Sequence, residues 1–194
     1  MSESSPQQRN AETTRKRILA AAQRRFSKQS FDATGMREIA AEAGVNVALV
    51  NRYFGSKEQL FEEAVAEAIT IDALLAGPQD GFGTRTASAM LSKDFIYIDL
   101  DPTAAFVNSL GSPVVGERLR RAVEERLLPE ISGWLGGAHA DQRAAMIFSA
   151  LLGFDVLRRM ARIDALNARH GPVLEDLCAA TLQSYVDGAP DKED

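Results

Sequence analysis

Apolar residues recur at helical spacing along most of this chain, and alternation at strand spacing is scarce. The pattern predicts an all-α protein of about nine helices. The first helix spans residues 13–29, with Ile18, Leu19, Ala22 and Phe26 on one face. Phe31, Ala33, Thr34 and Gly35 then make a short connection. A second helix follows with Ile39, Ala40 and Ala43 inward, and Gly44 ends it because glycine adopts positive φ without a Cβ clash. Val45 returns to the core, and Asn46 is suited to cap a third helix whose inward positions are Val50, Tyr53 and Phe54.

Ser56 and Gln59 form the sequence signature of a capping box, which starts a long fourth helix. Its inner side carries Leu60, Phe61, Ala64, Val65, Ala68 and Ile69, and Gly77-Pro78 stops it near Ala76. A helix over 83–99 comes next. Asp101-Pro102 reads as N-cap and first residue of a short helix ending near Gly111. Ser112-Pro113 repeats that start for a helix reaching about Leu135, with a kink expected at Pro129. Strongly apolar helices over 140–163 and 171–187 complete the pattern.

The spacing of Ala40, Gly44 and Val50 is that of a helix-turn-helix, whose second helix lies in the DNA major groove. Val47, Ala48, Leu49, Asn51 and Arg52 point away from the core side of that helix. Asn51 has the amide needed for a bidentate adenine contact, and Arg52 suits a guanine or a phosphate. Ala48 and Leu49 suit thymine methyl groups, and Arg37 reaches a base or the backbone. The domain reading is a disordered polar arm over 1–10, a DNA-binding domain over 11–56, a helical body over 57–188 and a loose tail over 189–194. The arm, with Arg9 and the Arg15-Lys16-Arg17 cluster nearby, can also touch DNA.

The net charge of −5 argues against DNA binding until it is divided. Residues 1–60 hold ten Lys/Arg and six acids, a balance of +4; the remainder holds twelve and twenty-one, a balance of −9. A basic head on an acidic body draws phosphate locally and repels non-specific contact elsewhere. Part of the head's charge also serves the solvated face of the first helix.

The strings RILAAAQRRF, SFDAT, MREIAAEAGV and RYFGSKEQLF stand in this order at fixed spacing over about residues 12–65. In them the chain resembles the tetracycline-repressor family of bacterial transcriptional regulators. The run RLRRAVEERLLPEISGWLGG resembles one group of that family's C-terminal bodies more loosely. The resemblance implies an all-helical dimer: a three-helix DNA-binding head joined to a helical-bundle body that binds an effector. It also places Thr34, Tyr53 and Lys57 where the family contacts phosphates. Three residues depart from the family pattern. Asn51 stands where tyrosine is most frequent, Gly35 replaces a hydroxyl residue, and Ser30 replaces a glycine, which predicts slight strain at the end of helix one.

One recognition helix reads too few bases for regulatory specificity, so a homodimer on double-stranded DNA is expected. Ala150, Gly153, Leu157, Leu174, Leu177, Thr181 and Tyr185 lie on the last two apolar helices and are the candidate interface. The same helices also serve the core of each protomer. Phe95, Tyr97, Phe106, Leu110, Trp134 and Phe148 are candidates to line an apolar effector pocket. Asp155 interrupts the run SALLGFDVL; it either pairs with Arg158 or Arg159 one turn on, or accepts a hydrogen bond or cation from a ligand. The effector is a small molecule of unspecified chemistry, and the response expected is repression relieved by it.

Other classes find little support. His139, His170 and Cys178 lack metal-ligand spacing, and Cys178 reads as a buried small hydrophobe. No phosphate loop, nucleophile elbow or HExxH pair appears, so neither an enzyme nor a cofactor is expected. No apolar stretch approaches a membrane span, and the N-terminus lacks a signal-peptide core, which predicts a cytoplasmic protein. The alternative is a structural or protein-binding relative with a silent DNA head.

Overall fold

The hydroxyl of Ser27, near the end of the first helix, accepts the backbone N–H of Asp101 at 2.8 Å, a contact that no local pattern announces. It belongs to a computed structural model that describes residues 6–92, 100–167 and 171–188. Every regular element among these residues is a helix, as the periodicity predicts.

The chain divides into two compact units, the first made of the described parts of Met1–Ile69 and Tyr97–Arg120. Its elements are α1 (Pro6–Lys28), α2 (Met36–Glu42), α3 (Val47–Phe54), α4 (Lys57–Phe61), a π-helical continuation Glu62–Ala66, and α7 (Pro102–Leu110). Helix α1 starts earlier than residue 13: Pro6 supplies a helical φ at its first position, and the polar residues behind it are ordinary helix formers. Ile18, Ala21, Ala22 and Phe26 of α1 are buried with Ile39, Ala40, Val50, Leu60 and Phe61. At their centre Phe61 meets Phe26 and Phe31 edge-on, with centroids 5.0 and 5.3 Å apart, the geometry favoured by ring quadrupoles.

Helix α7 also packs in this unit, whereas the expected boundary at residue 56 places 102–110 in the body. Asp101 caps α7 by accepting the Ala104 N–H at 3.0 Å, as its sequence signature predicts. Asn108 donates to the Ser27 carbonyl at 3.2 Å, and the fully buried Ser109 hydroxyl accepts the Phe31 N–H at 3.1 Å. Ser109→Ala leaves that buried N–H unpaired, so we expect a loss of about 1–3 kcal/mol. A lower urea midpoint with an unchanged m-value shows it; an unchanged midpoint contradicts it.

The fourth helix does not run unbroken to Ala76. It ends with the π segment, and after a break the short α5 (Asp72–Leu75) begins. Ile69, Thr70 and Ile71 are consecutive β-branched residues, which lose χ1 freedom in a helix. The boundary between the compact units falls at this break.

The second unit comprises the described parts of Thr70–Ile96 and Arg121–Asp194. Helix α6 is Phe82–Leu91, and Phe95 and Tyr97 lie outside the described residues. Ser112, in the first unit, accepts the Val114 and Val115 N–H groups in a turn, so α8 (Gly116–Ala122), which begins in that unit and passes its boundary at Arg120, starts after Pro113 and not at it. A π segment, Val123–Leu127, joins α8 to α9 (Leu128–Leu135) immediately before Pro129. Widening the helix there accommodates a residue that lacks an N–H, where the sequence predicted a kink. Helix α10 (Ala140–Asp155) continues into a π segment to Met160, and α11 is Gly171–Asp187.

Helices α6 and α11 pack closely at Gly83. A Cβ there would meet the Ala179 carbonyl oxygen at 2.1 Å, while the Gly83 N–H donates to Gln183 Oε1 at 3.0 Å. Arg143 of α10 donates to the Val186 carbonyl at 2.7 Å, satisfying an orphan acceptor at the end of α11.

Candidate nucleic-acid interface

The turn between α2 and α3 is held by local bonds and by one from α1. Gly44 has φ 64°, and a Cβ there would stand 2.9 Å from the Arg17 guanidinium. That guanidinium donates to the Ala43 carbonyl at 2.6 Å, tying the end of α2 to α1. Asn46 caps α3 by accepting the Ala48 N–H at 2.8 Å. Gly55, with φ 75°, closes α3 by donating to the Asn51 carbonyl at 2.8 Å. Ser56 and Gln59 then exchange both capping-box bonds, at 3.2 and 3.1 Å.

Helix α3 buries Val50 and Phe54 and leaves Ala48, Asn51 and Arg52 exposed. Val47, Leu49 and Tyr53 are half-buried, and Arg37 of α2 is exposed. The arrangement brings an amide, a guanidinium and small apolar side chains onto the outward side of a helix held on its inward side. Phe54 is gripped from behind: the Arg15 guanidinium lies 4.9 Å from its ring centre and pairs with Glu63 at 2.5 Å.

Thr34 differs from the expectation. It is 1% exposed, and its hydroxyl donates to the Ser30 carbonyl at 2.9 Å, so it holds the turn after α1 and presents no group to a phosphate. Ser30 carries no left-handed strain either, since His139 and Arg162 are the positive-φ residues other than glycine among those described. Gly35 caps α2 through its backbone, donating to Glu38 Oε2 at 2.9 Å. The Lys57 ammonium sits 4.2 Å over the Phe31 ring, where burial lowers its pKa against Asp32, Glu58 and Glu38. It therefore has a structural contact of its own beside any role toward phosphate.

Several basic residues counted in the head's +4 are structural. Arg24 and Arg25 both hold Glu42, at 2.8 and 2.5 Å, fastening α2 to α1. Burial pushes the Glu42 carboxyl up, but the hydrogen bonds from both arginines outweigh it and hold its pKa below the ordinary 4.5. A depressed carboxylate pKa stabilises the fold above the unfolded value and loses that contribution as pH falls through the folded one. Glu42→Gln is thus less stable than the parent near neutrality, with the gap closing below about pH 4.5. Urea unfolding across that range measures it, and a gap independent of pH contradicts the assignment.

The expected effector residues have separate surroundings. Phe106 is buried in the first unit, and Leu110, at the end of α7, is 48% exposed. Trp134 packs on Phe82 with centroids 5.1 Å apart, and Phe148 is half-buried in α10. Asp155 pairs with Arg159 through two bonds of 2.5 and 2.6 Å, the intrahelical alternative read from its i,i+4 spacing. Of the candidate interface residues, Leu157 and Leu177 are 48% and 62% exposed, and Thr181 is exposed. Ala150, Gly153 and Tyr185 are half-buried. Leu174 is buried and belongs to the protomer's own core.

Comparison with known proteins agrees with this geometry. Residues 18–64 match the description "Bacterial regulatory proteins, tetR family", and residues 80–186 match "Tetracyclin repressor-like, C-terminal domain". The chain is 29% identical to the HTH-type transcriptional dual regulator CecR of Shigella flexneri, over 73% of this chain and 74% of that protein. It is 27% identical to the HTH-type transcriptional regulator BetI of Agrobacterium fabrum, over 90% of each. The crystal structure of a regulator from Streptomyces coelicolor aligns with a TM-score of 0.55 and 27% identity, covering 96% of this chain and all of that one.

Proposed function

This chain belongs to the tetracycline-repressor family and is a DNA-binding transcriptional regulator; from that premise we propose that it acts as a homodimeric, effector-responsive repressor on a palindromic operator. The observation that carries the reading is the capped, buried-backed α3 with Asn51 and Arg52 on its outward side. Asn51 and Arg52 read base edges, Ala48 and Leu49 pack on thymine methyls, Val47 lines the same face, and Arg37, Tyr53 and Lys57 contact the backbone or an adjacent base. Two such helices reach successive major grooves only when roughly 34–36 Å apart.

Dimerisation is supported by the apolar side chains that α10, its π continuation and α11 leave exposed, with Met146, Leu157, Met160, Val173 and Leu177 among them. In this reading a second copy covers them, with Gly153 allowing close approach because no other side chain or backbone lies within 4 Å of a Cβ built there.

Effector binding acts by favouring one of two arrangements of the heads, and only a difference in affinity for the two can shift them. The break after the π segment rules out a continuous rod from Lys57 to Ala76 as the lever. The contacts that grip the head are Glu63–Arg15–Phe54 and the bonds of α7 to Ser27 and Phe31, and these are the levers we assign. Among the described residues no helix is long and apolar enough to cross a membrane, and a DNA partner places the protein in the cytoplasm. Selection of genomic fragments by the purified protein tests the reading. Enrichment of a site with two-fold symmetry supports it; no enrichment at low salt favours a relative with a silent head.

A further inference from the structure

A helix-turn-helix lays the start of its second helix against the base edges. In this chain that start is Val47, Ala48 and Leu49, none of which carries a side-chain donor or acceptor. Ala48 is exposed and Val47 and Leu49 are half-buried, while the exposed polar pair, Asn51 and Arg52, stands one turn further on. We propose that the start of α3 reads the 5-methyl group of a pyrimidine as such, so that 5-methylcytosine serves there in place of thymine. The inference deepens the DNA reading proposed above and rests on it. Its ligand is DNA bearing pyrimidine methyl groups, and cytosine methylation becomes a means of regulating the site.

Local bonds tie up the nearest polar groups. Asn46 Oδ1 accepts the Ala48 N–H at 2.8 Å, and the Asn46 carbonyl accepts the Leu49 N–H at 2.9 Å. Gly44 and Val45, in the turn before, add no polar side chain. Reading cytosine by its N4 amine takes an acceptor, and reading thymine by its O4 takes a donor. Val47, Ala48 and Leu49 supply neither. What an apolar side chain distinguishes is a methyl group at C5, which thymine and 5-methylcytosine share and which uracil and cytosine lack. Against an unmethylated edge the same side chains strip water from a polar base and return no contact for it. The Asn46 amide nitrogen is still a donor; it would favour thymine O4 over the cytosine amine, a case that the experiment separates.

The backing of α3 holds these three residues in place. Val50 and Phe54 are 0% and 6% exposed, and the Arg15 guanidinium lies 4.9 Å from the Phe54 ring centre. Rolling the helix to bring a polar side chain over the same base would pull both residues out of the core. Burial of one methyl group corresponds to about fourfold in affinity, or about fifteenfold when both halves of a symmetric site carry it.

Random-sequence duplexes are prepared in four pools, combining thymine or uracil with cytosine or 5-methylcytosine, and each is selected against the intact protein. The thymine pools should enrich a motif with thymine at fixed positions in each half. The pool of uracil with 5-methylcytosine should enrich the same motif with 5-methylcytosine at those positions, and the pool of uracil with cytosine should enrich it least. In single duplexes, thymine is then compared with uracil, and 5-methylcytosine with cytosine. Each pair shares its purine strand, so only the methyl group changes. We expect about fifteenfold in each comparison when both halves are changed. Leu49→Ala should bring both ratios toward one, whereas Arg52→Ala should lower all four affinities and keep the ratios; a mere loss of stability moves neither ratio. Ratios near one in the parent protein overturn the inference. A preference for thymine over uracil, with 5-methylcytosine no better than cytosine, also overturns it and assigns the base to a donor such as the Asn46 amide. No enrichment from any pool overturns the DNA reading itself and this inference with it, whereas enrichment indifferent to methyl groups overturns this inference alone.

Discussion

Arg52→Ala lowers affinity for the selected operator by about 1–3 kcal/mol, and Asn51→Ala by a similar amount, while binding to scrambled DNA changes little. The reason is the one-sided burial of α3. Val50 and Phe54 fix the helix against the head, so neither exposed side chain takes part in folding, and each loss reports recognition. Circular dichroism and thermal unfolding of both variants should match the parent. The two residues are neighbours on one helix, so the double variant need not show the sum of the single losses. An equal Arg52 loss on every sequence reassigns it from base to phosphate, because backbone contacts position the protein without specifying sequence.

Gly83→Ala should lower stability by separating two packed helices. The new Cβ would sit 2.1 Å from the Ala179 carbonyl oxygen and 3.0 Å from the Gln183 Cβ, and the first is backbone that cannot turn aside. Helices α6 and α11 must separate, which also stretches the bond from the Gly83 N–H to Gln183. Overpacking of this kind costs about 1–3 kcal/mol, or a fall in Tm on the order of 2–12 °C for a chain of this size. Gly133→Ala is the control. Nothing lies within 4 Å of its Cβ position, so the change should stabilise helix α9 by about 0.4–1 kcal/mol. A Gly83→Ala protein as stable as the parent would show that α6 and α11 do not pack this closely.

The head was legible in sequence because its determinants act within a few residues of one another. Asn46 caps α3, Ser56 and Gln59 close their box, and Gly44 takes positive φ, each as the local chemistry demands. Asp155 and Arg159 pair for the same reason of spacing. What escaped was long-range or cooperative. The bonds from Ser27 and Phe31 to α7 join residues more than seventy positions apart, and a serine in a short helix carries no mark of its distant partner. The break near Ile69 follows from a β-branched run whose weak helix propensity the apolar periodicity on either side concealed.

Charge and pocket were half-legible. Counting arginines found the basic head, but could not show that Arg24 and Arg25 are engaged by Glu42. The aromatic candidates for an effector site have separate surroundings. Phe106 fills the first unit and Trp134 packs on Phe82, whereas space in the second unit is left between aliphatic side chains. Where packing leaves a void depends on how helices meet, and composition does not encode that.

The central claim is that α3 reads base sequence. Its most direct test is the ratio of affinities for the selected operator and for a scrambled duplex of equal length, measured at one salt concentration. A reader of bases gives a ratio of about a thousandfold or more, which falls when Arg52 or Asn51 is replaced. A ratio near one, with the protein folded and bound equally to both duplexes, contradicts it.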